Sequence, residues 1–433
     1  MTRKFLILAL LAAMLSACGG SVKNLLDLGG KDTVLPGKRE AVLPSSQNLT
    51  DQAISSDPIV IPAAQTNPGW TQPGGNTANA LYNLTLSPQP VRSFSIHAGE
   101  GSSRNGRLTA SPIIAGGRVF VLDTRATARA FSAESGGSIW SRSLVPEGKD
   151  GRGAFGGGLA SDGSRVYATT AFGEALALDA ATGAVLWRKS VGSPLRAAPT
   201  VADGKMVFVS VANQVFCLST SDGSEIWQST GVGESASVIT STSAAIEGDI
   251  AVVPTTSGDV IAFRLSDGTP LWTDTLASSD PTSSLANLND IAARPVIDGG
   301  QVFAISHSGS FVAFSAKDGS RTWQRELSGT QTPWVSGDYL FIITNRNKVA
   351  AISRKTGGVR WIKDLPQGVW AGPVMGGGKL IVASSEGSLV MLSAQTGDIL
   401  TTMALKAKVY VAPIIASGTI YLLADDGDLI AMR

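Results

Sequence analysis

The sequence predicts an all-β fold: an eight-bladed β-propeller of four-stranded antiparallel blades, with the ring closed by an N-terminal strand pairing with the C-terminal blade. Three observations carry this. First, a nine-residue phrase, clearest as Asp179-Ala180-Ala181-Thr182-Gly183-Ala184-Val185-Leu186-Trp187, recurs at 132–140, 219–227, 264–272, 315–323 and 353–361. Second, its closing residues Trp140, Trp187, Trp227, Trp272, Trp323 and Trp361 stand 47, 40, 45, 51 and 38 residues apart, the period of a propeller blade. Third, 49 Gly in 433 residues, 43% hydrophobic and 16% charged residues suit a β-rich body with many tight turns.

The elements follow in chain order. Residues 1–17 read as a signal peptide. Arg3 and Lys4 form a basic start, residues 5–15 an apolar stretch too short to span a bilayer, and Leu15-Ser16-Ala17-Cys18 a small-residue cleavage site. A Cys directly after such a site resembles the lipobox of bacterial lipoproteins, which implies that Cys18 is lipidated; the alternative is an ordinary secretory peptide followed by a chance Cys. Gly19, where an Asp would signal retention, resembles the enterobacterial pattern for outer-membrane delivery. Residues 18–66 hold Pro36, Pro44, Pro58 and Pro62 with little periodicity, and read as a lipidated N-terminus and flexible tether. The propeller occupies residues 67–433.

Within it, residues 198–227 display one blade. Pro199-Thr200-Val201-Ala202 opens an inner strand, and Asp203-Gly204 is a hairpin turn that favours positive φ at both positions. Residues 206–210 and 214–218 form the second and third strands, and Asp222-Gly223 turns the chain into a fourth that ends at Trp227. Turn pairs at Gly116-Gly117, Asp162-Gly163, Gly248-Asp249, Gly299-Gly300, Gly337-Asp338, Gly377-Gly378 and Ser417-Gly418 repeat the frame. Pro112, Pro199, Pro295, Pro333, Pro373 and Pro413 open inner strands, where a missing N–H is tolerated. A Trp repeated in every blade is best explained by packing between neighbouring sheets. Six blades end in that Trp, and a seventh has Thr401 in its place. An eighth, starting at Pro413, stops at Arg433 after three strands. Residues 91–96 resemble the fourth strand 139–144, so they are expected to pair with 428–432 and close the ring, removing two open edges.

Charge and cysteine usage narrow the function. With 35 basic and 34 acidic residues, a net charge of +1, there is no electrostatic footprint for nucleic acid. Cys217 is the only Cys besides Cys18 and lies in the apolar run 215–218, as a small buried hydrophobe. Gly151-Arg152-Gly153-Ala154-Phe155-Gly156 fits G-x-G-x-x-G, but it joins two blades with no helix after it, and a dinucleotide site needs that helix N-terminus.

The Asp-Ala-x-Thr-Gly-x-x-x-Trp phrase resembles the tryptophan-docking repeat of quinoprotein-type propellers, and 69–76 (Gly-Trp-Thr-Gln-Pro-Gly-Gly-Asn) looks like the opening of those propellers. Two families fit. One is the quinone-dependent alcohol dehydrogenases. The other is the B-lipoprotein family of the outer-membrane β-barrel assembly machinery, which implies a non-enzymatic propeller that binds the periplasmic domains of the Omp85-type insertase. The lipobox and a length used up by one tether and one propeller favour the second. The dehydrogenase resemblance implies an adjacent Cys pair, Ca²⁺ and an Asp base. The chain has no Cys-Cys, its only His are His97 and His307, and no dense oxygen-ligand motif appears. No cofactor is expected.

The lipoprotein resemblance implies a partner-binding site at few positions. Residues 193–199 resemble the family's Leu-Arg segment, with Leu195 an apolar anchor and Arg196 a planar fork. Asn289-Asp290-Ile291-Ala292 resembles its acidic segment, with Asp290 matching the first acid and Ala292 in place of the second. The alternative is that Arg196 and Asp290 are solvated loop residues. Trp334 and Trp370, outside the phrase, either line the channel mouth or add packing. The expected role is a scaffold tethered at the outer membrane, with presentation of strand edges to unfolded outer-membrane proteins as an added role. The alternatives are a quinone-dependent dehydrogenase and a carbohydrate-binding module.

Overall fold

The computed structural model describes residues 58–153, 156–230, 242–276 and 291–433. All of these belong to the second of two units into which the chain divides, 1–48 and 49–433. The described strands form eight separate four-stranded antiparallel sheets, with no helix among the described residues. Seven sheets take their strands consecutively from the chain. The eighth sets Arg92–His97 beside Asp428–Met432, followed by Thr419–Leu423 and Ile414–Ala416. Phe94 pairs with Ala431 and Ile96 with Leu429, so the ring closes as the sequence predicts.

Local chemistry sets each blade. The third blade consists of Thr200–Ala202, Lys205–Val209, Val215–Ser219 and Glu225–Ser229. Asp203 and Gly204 both adopt positive φ, 47° and 72°, the type I′ pattern that matches strand twist. At Gly248-Asp249 and Gly337-Asp338 only the Gly is positive, as in type II′ turns. Second and third strands are buried on both faces; the fourth strand is largely exposed, with its Trp the buried residue.

A bulge in every fourth strand builds the seam between blades. Trp187 faces Ala177, but Val185 faces Leu178, so Leu186 is the extra residue. The bulge turns Leu186 outward and aims Trp187 at the next blade. The same device exposes Ile139, Ile226 and Leu400. Each indole lies over the Gly of the next blade's phrase: Trp140 over Gly183, Trp187 over Gly223, Trp227 over Gly268, Trp272 over Gly319, Trp323 over Gly357 and Trp361 over Gly397. A Cβ at any of these Gly would fall 2.6–2.7 Å from the ring. Each indole N–H also donates to a carbonyl in that turn, of Ala180, Thr220, Leu265, Ala316, Arg354 or Ala394, at 2.7–3.1 Å.

The Thr at 401 has a structural cause. The turn that an indole at 401 would cover does not exist, because the eighth blade's outer strand comes from the other end of the chain. Thr401 therefore stands where Trp would, and Met391 faces it where the six Trp face Ala or Cys. Phe94 takes the docking place in the eighth blade, 2.9 Å from where a Cβ on Gly136 would sit.

Residues 67–86 run once around one end of the channel and touch all eight inner strands. Backbone bonds link Ser417 N–H to Asn67, Ile114 N–H to Trp70, Ser161 N–H to Thr71, Ile246 N–H to Thr77, Ile297 N–H to Ala78 and Gly377 N–H to Leu84, at 2.7–3.0 Å. Gln72 bonds both backbone groups of Val201, and Tyr82 accepts the Trp334 indole N–H. Leu86 returns to the start at Gly418. The circuit satisfies inner-strand groups that would otherwise face the channel. Of the stretch assigned to the tether, residues 58–66 lie against this body: Ile59 is buried in the core, and Gln65 N–H donates to Asn83 O at 2.9 Å.

Candidate functional site

Alternating strand directions place the links between blades at one end of the ring, together with the turns between second and third strands and opposite the first and third hairpin turns of each blade. The link into the third blade carries Leu195 and Arg196. Leu195 is 0% exposed, among Tyr167, Phe208 and Leu218, and its N–H donates to Thr170 O at 3.2 Å. This corrects the expectation that Leu195 presents an apolar anchor: its side chain fixes the link from beneath. Arg196 is half-buried, and its carbonyl accepts the Gly157 N–H at 3.0 Å. Gly156, at φ 113°, packs on Arg196: a Cβ there would lie 3.1 Å from the Arg196 Cγ. The last Gly of the G-x-G-x-x-G stretch thus lies against Arg196, and a strand, Gly157–Ser161, follows it. Asp290 and Cys18 lie outside the described residues; Ala292 is buried.

The channel holds a cavity of about 390 Å³. The circuit forms one end through Trp70, Pro73 and Asn79, and the residues ahead of the inner strands form the wall. Trp334 lines it and stacks on Trp70 with centroids 6.3 Å apart, so it both packs and faces the channel. Trp370 is buried and donates to Pro366 O at 2.8 Å.

Arg294 also lines this cavity. Its N–H donates to Thr332 Oγ1 at 3.3 Å, and its Nη2 donates to Ser111 Oγ at 3.0 Å. Arg294 precedes the fifth blade and Ser111 the first, which stand opposite in a ring of eight, so the guanidinium reaches across the channel. Burial pulls its pKa down to about 10, still fully charged at neutral pH. Sequence reasoning passed over this residue. The signal was present, since Ser111, Ala198, Arg294, Thr332, Gly372 and Ala412 precede the six inner-strand Pro, and only Arg294 is charged.

The donor set implied by the dehydrogenase resemblance does not fit. Cys217 is buried opposite Trp227 in the third blade, and burial pushes its thiol up to about 12. Asp425 is the one carboxylate in the described channel lining. No group of three or more His, Cys, Asp or Glu side chains among the described residues is placed to hold a metal ion.

Comparison with known proteins adds the family. The model for "Outer membrane protein assembly factor BamB" matches residues 124–363 and 359–433. Proteins of that name from Moranella endobia and Yersinia pestis are 24% and 26% identical over 246 residues, 56% of this chain. The match spans 63% and 62% of those relatives, less than two thirds of either. Among solved structures, BamB from Moraxella catarrhalis aligns with a TM-score of 0.68 at 20% identity, covering 80% of this chain and all of that one. A quinohemoprotein alcohol dehydrogenase from Comamonas testosteroni aligns at 0.66 with 12% identity, over 85% of this chain and 81% of its own. At such identities both structures speak for the fold alone.

Proposed function

The chain belongs to the outer membrane protein assembly factor BamB family, and on that premise we propose that it is a non-catalytic scaffold lipoprotein of the outer-membrane protein assembly complex. Cys18 carries the lipid and holds the protein at the periplasmic face of the outer membrane. The stretch after it is the tether, and the link end of the ring binds the periplasmic POTRA domains of the Omp85-type insertase.

The observation that carries this reading is the pairing of Leu195 and Arg196. A fully buried Leu and a backbone bond from Gly157 fix the backbone of half-buried Arg196 at the link end. A planar fork carried on a fixed backbone matches a carboxylate or carbonyl, which favours affinity. Asp290, outside the described residues, is the acidic half of the site by the family resemblance alone. The uncharged outer strand Ile399–Ala404, with Ile399 and Leu400 exposed, is the edge best suited to pairing with an extended client strand.

The test is co-purification from detergent-solubilised membranes, read by mass spectrometry, with wild type beside Arg196→Glu. The insertase is expected with wild type and lost with the variant. A wild-type protein that brings down no insertase overturns the reading.

A further inference from the structure

The second strand of every blade is buried, and its fifth residue is apolar in seven of the eight. That residue is Leu in the first and eighth blades, Val in the third, Pro in the fourth, Ile in the fifth and sixth, and Ala in the seventh. The second blade alone carries a hydroxyl there, on Thr169 of the strand Arg165–Thr170. Val would fill the same space, so packing does not call for the hydroxyl, and a buried hydroxyl costs free energy unless it is bonded.

The hydroxyl of Thr169, a residue 0% exposed, donates to the carbonyl of Ala197 at 2.7 Å. Ala197 is the residue after Arg196. The bond completes a run in which four consecutive link residues are tied down. The Pro194 carbonyl accepts the Val211 N–H at 3.1 Å, the Leu195 N–H donates to Thr170 O at 3.2 Å, and the Arg196 carbonyl accepts the Gly157 N–H at 3.0 Å. Three of the four bonds come from the second blade, and only the one from Thr169 uses a side chain. From the other side Gly156 packs on the Arg196 stem, where a Cβ would lie 3.1 Å from Cγ. A link held at each residue starts the Arg196 side chain from one place, so less freedom is lost when its fork meets a partner.

We propose that Thr169 is a positioning residue of the partner-binding link: its hydroxyl fixes Ala197 and so presets Arg196 for a carboxylate or carbonyl of the insertase. The inference rests on the reading of Arg196 as a partner-binding residue.

Titration of the purified mature chain with the purified periplasmic domains of the insertase tests it, for wild type, Thr169→Ser and Thr169→Val. Wild type and Thr169→Ser, which both carry the hydroxyl, are expected to bind alike, and Thr169→Val at least threefold more weakly. In an Arg196→Ala background the Thr169→Val deficit should vanish, which a merely structural role would not produce. Tyr421→Phe, which loses a hydroxyl bond to Ala133 at the closure of the ring, controls for stability and should bind as wild type does. If Thr169→Val fails to fold, Gly156→Ala applies the same test from the other side of Arg196, with the same expected deficit and the same dependence on Arg196. Wild-type protein that does not bind overturns the reading of the site, and the inference with it. Wild-type binding matched by the folded variant, or a deficit that persists without Arg196, overturns the inference alone.

Discussion

The Tyr421 hydroxyl donates to the Ala133 carbonyl at 2.8 Å, which is the turn position that in six other blades takes the indole N–H of the docking Trp. The eighth blade carries Phe94 in the docking place, and a phenyl ring has no N–H to give. Tyr421 lies beside it, with ring centroids 6.4 Å apart, and supplies the missing donor from the second strand over in the same sheet. Packing and hydrogen bonding, joined in one Trp elsewhere, are divided here between two residues at the closure of the ring.

Tyr421→Phe therefore weakens the closure with little change in volume. Arg433 also donates to Ala133 O, at 3.2 Å, so the carbonyl keeps a partner and the loss is about 1 kcal/mol. A lower urea midpoint with an unchanged slope is expected. An unchanged midpoint would deny the hydroxyl its role.

Glycine substitutions separate backbone strain from the seam. Gly117 and Gly183 both hold positive φ, 72° and 69°. A Cβ on Gly117 meets nothing within 4 Å, and one on Gly183 lies 2.6 Å from the Trp140 ring. Gly117→Ala costs the left-handed penalty alone, about 1 kcal/mol, whereas Gly183→Ala adds overpacking of about 1–3 kcal/mol. Denaturation of both variants reads the difference, and equal losses would remove the Trp from the account.

Much of this was legible because it repeats. A Gly five residues into each phrase and a Trp at its end are visible as a period, and the closing strand as a ninth partial copy. The circuit of 67–86 was not, because it meets each blade once with a different residue and so has no periodicity. Leu195 was misjudged for a related reason: an apolar residue in a link next to Pro194 gives no sign of which way it points. Thr401 reads as degeneracy in the sequence; the missing eighth turn gives it a physical cause.

Cys217 is expected to stay silent toward thiol reagents. Burial holds its pKa at about 12, so the nucleophilic thiolate is scarce at pH 8. Labelling by a chromogenic disulfide should track unfolding by urea; rapid labelling of the native protein would contradict the burial.

Alkaline stability tests the circuit. The Tyr82 hydroxyl donates to Asp298, which also pairs with Arg354 at 2.5 Å. That bond, with burial, raises the Tyr82 pKa from 10.0 to about 12. The fold favours the neutral phenol, so this contribution is complete below about pH 10 and fades as pH climbs toward 12. Tyr82→Phe should be less stable than wild type at pH 8, and the gap should narrow by pH 11. A gap independent of pH would separate Tyr82 from the alkaline response.

The central claim is that the link end of this ring grips the insertase through Arg196. The direct measurement is titration of the purified mature chain with the purified periplasmic domains of the insertase, for wild type, Arg196→Lys and Arg196→Glu. The account predicts saturable binding by wild type, weaker binding by Lys, which lacks the planar fork, and at least a tenfold loss with Glu. Folded wild-type protein that does not bind at tens of micromolar would contradict the scaffold; binding by Arg196→Glu equal to wild type would contradict the site.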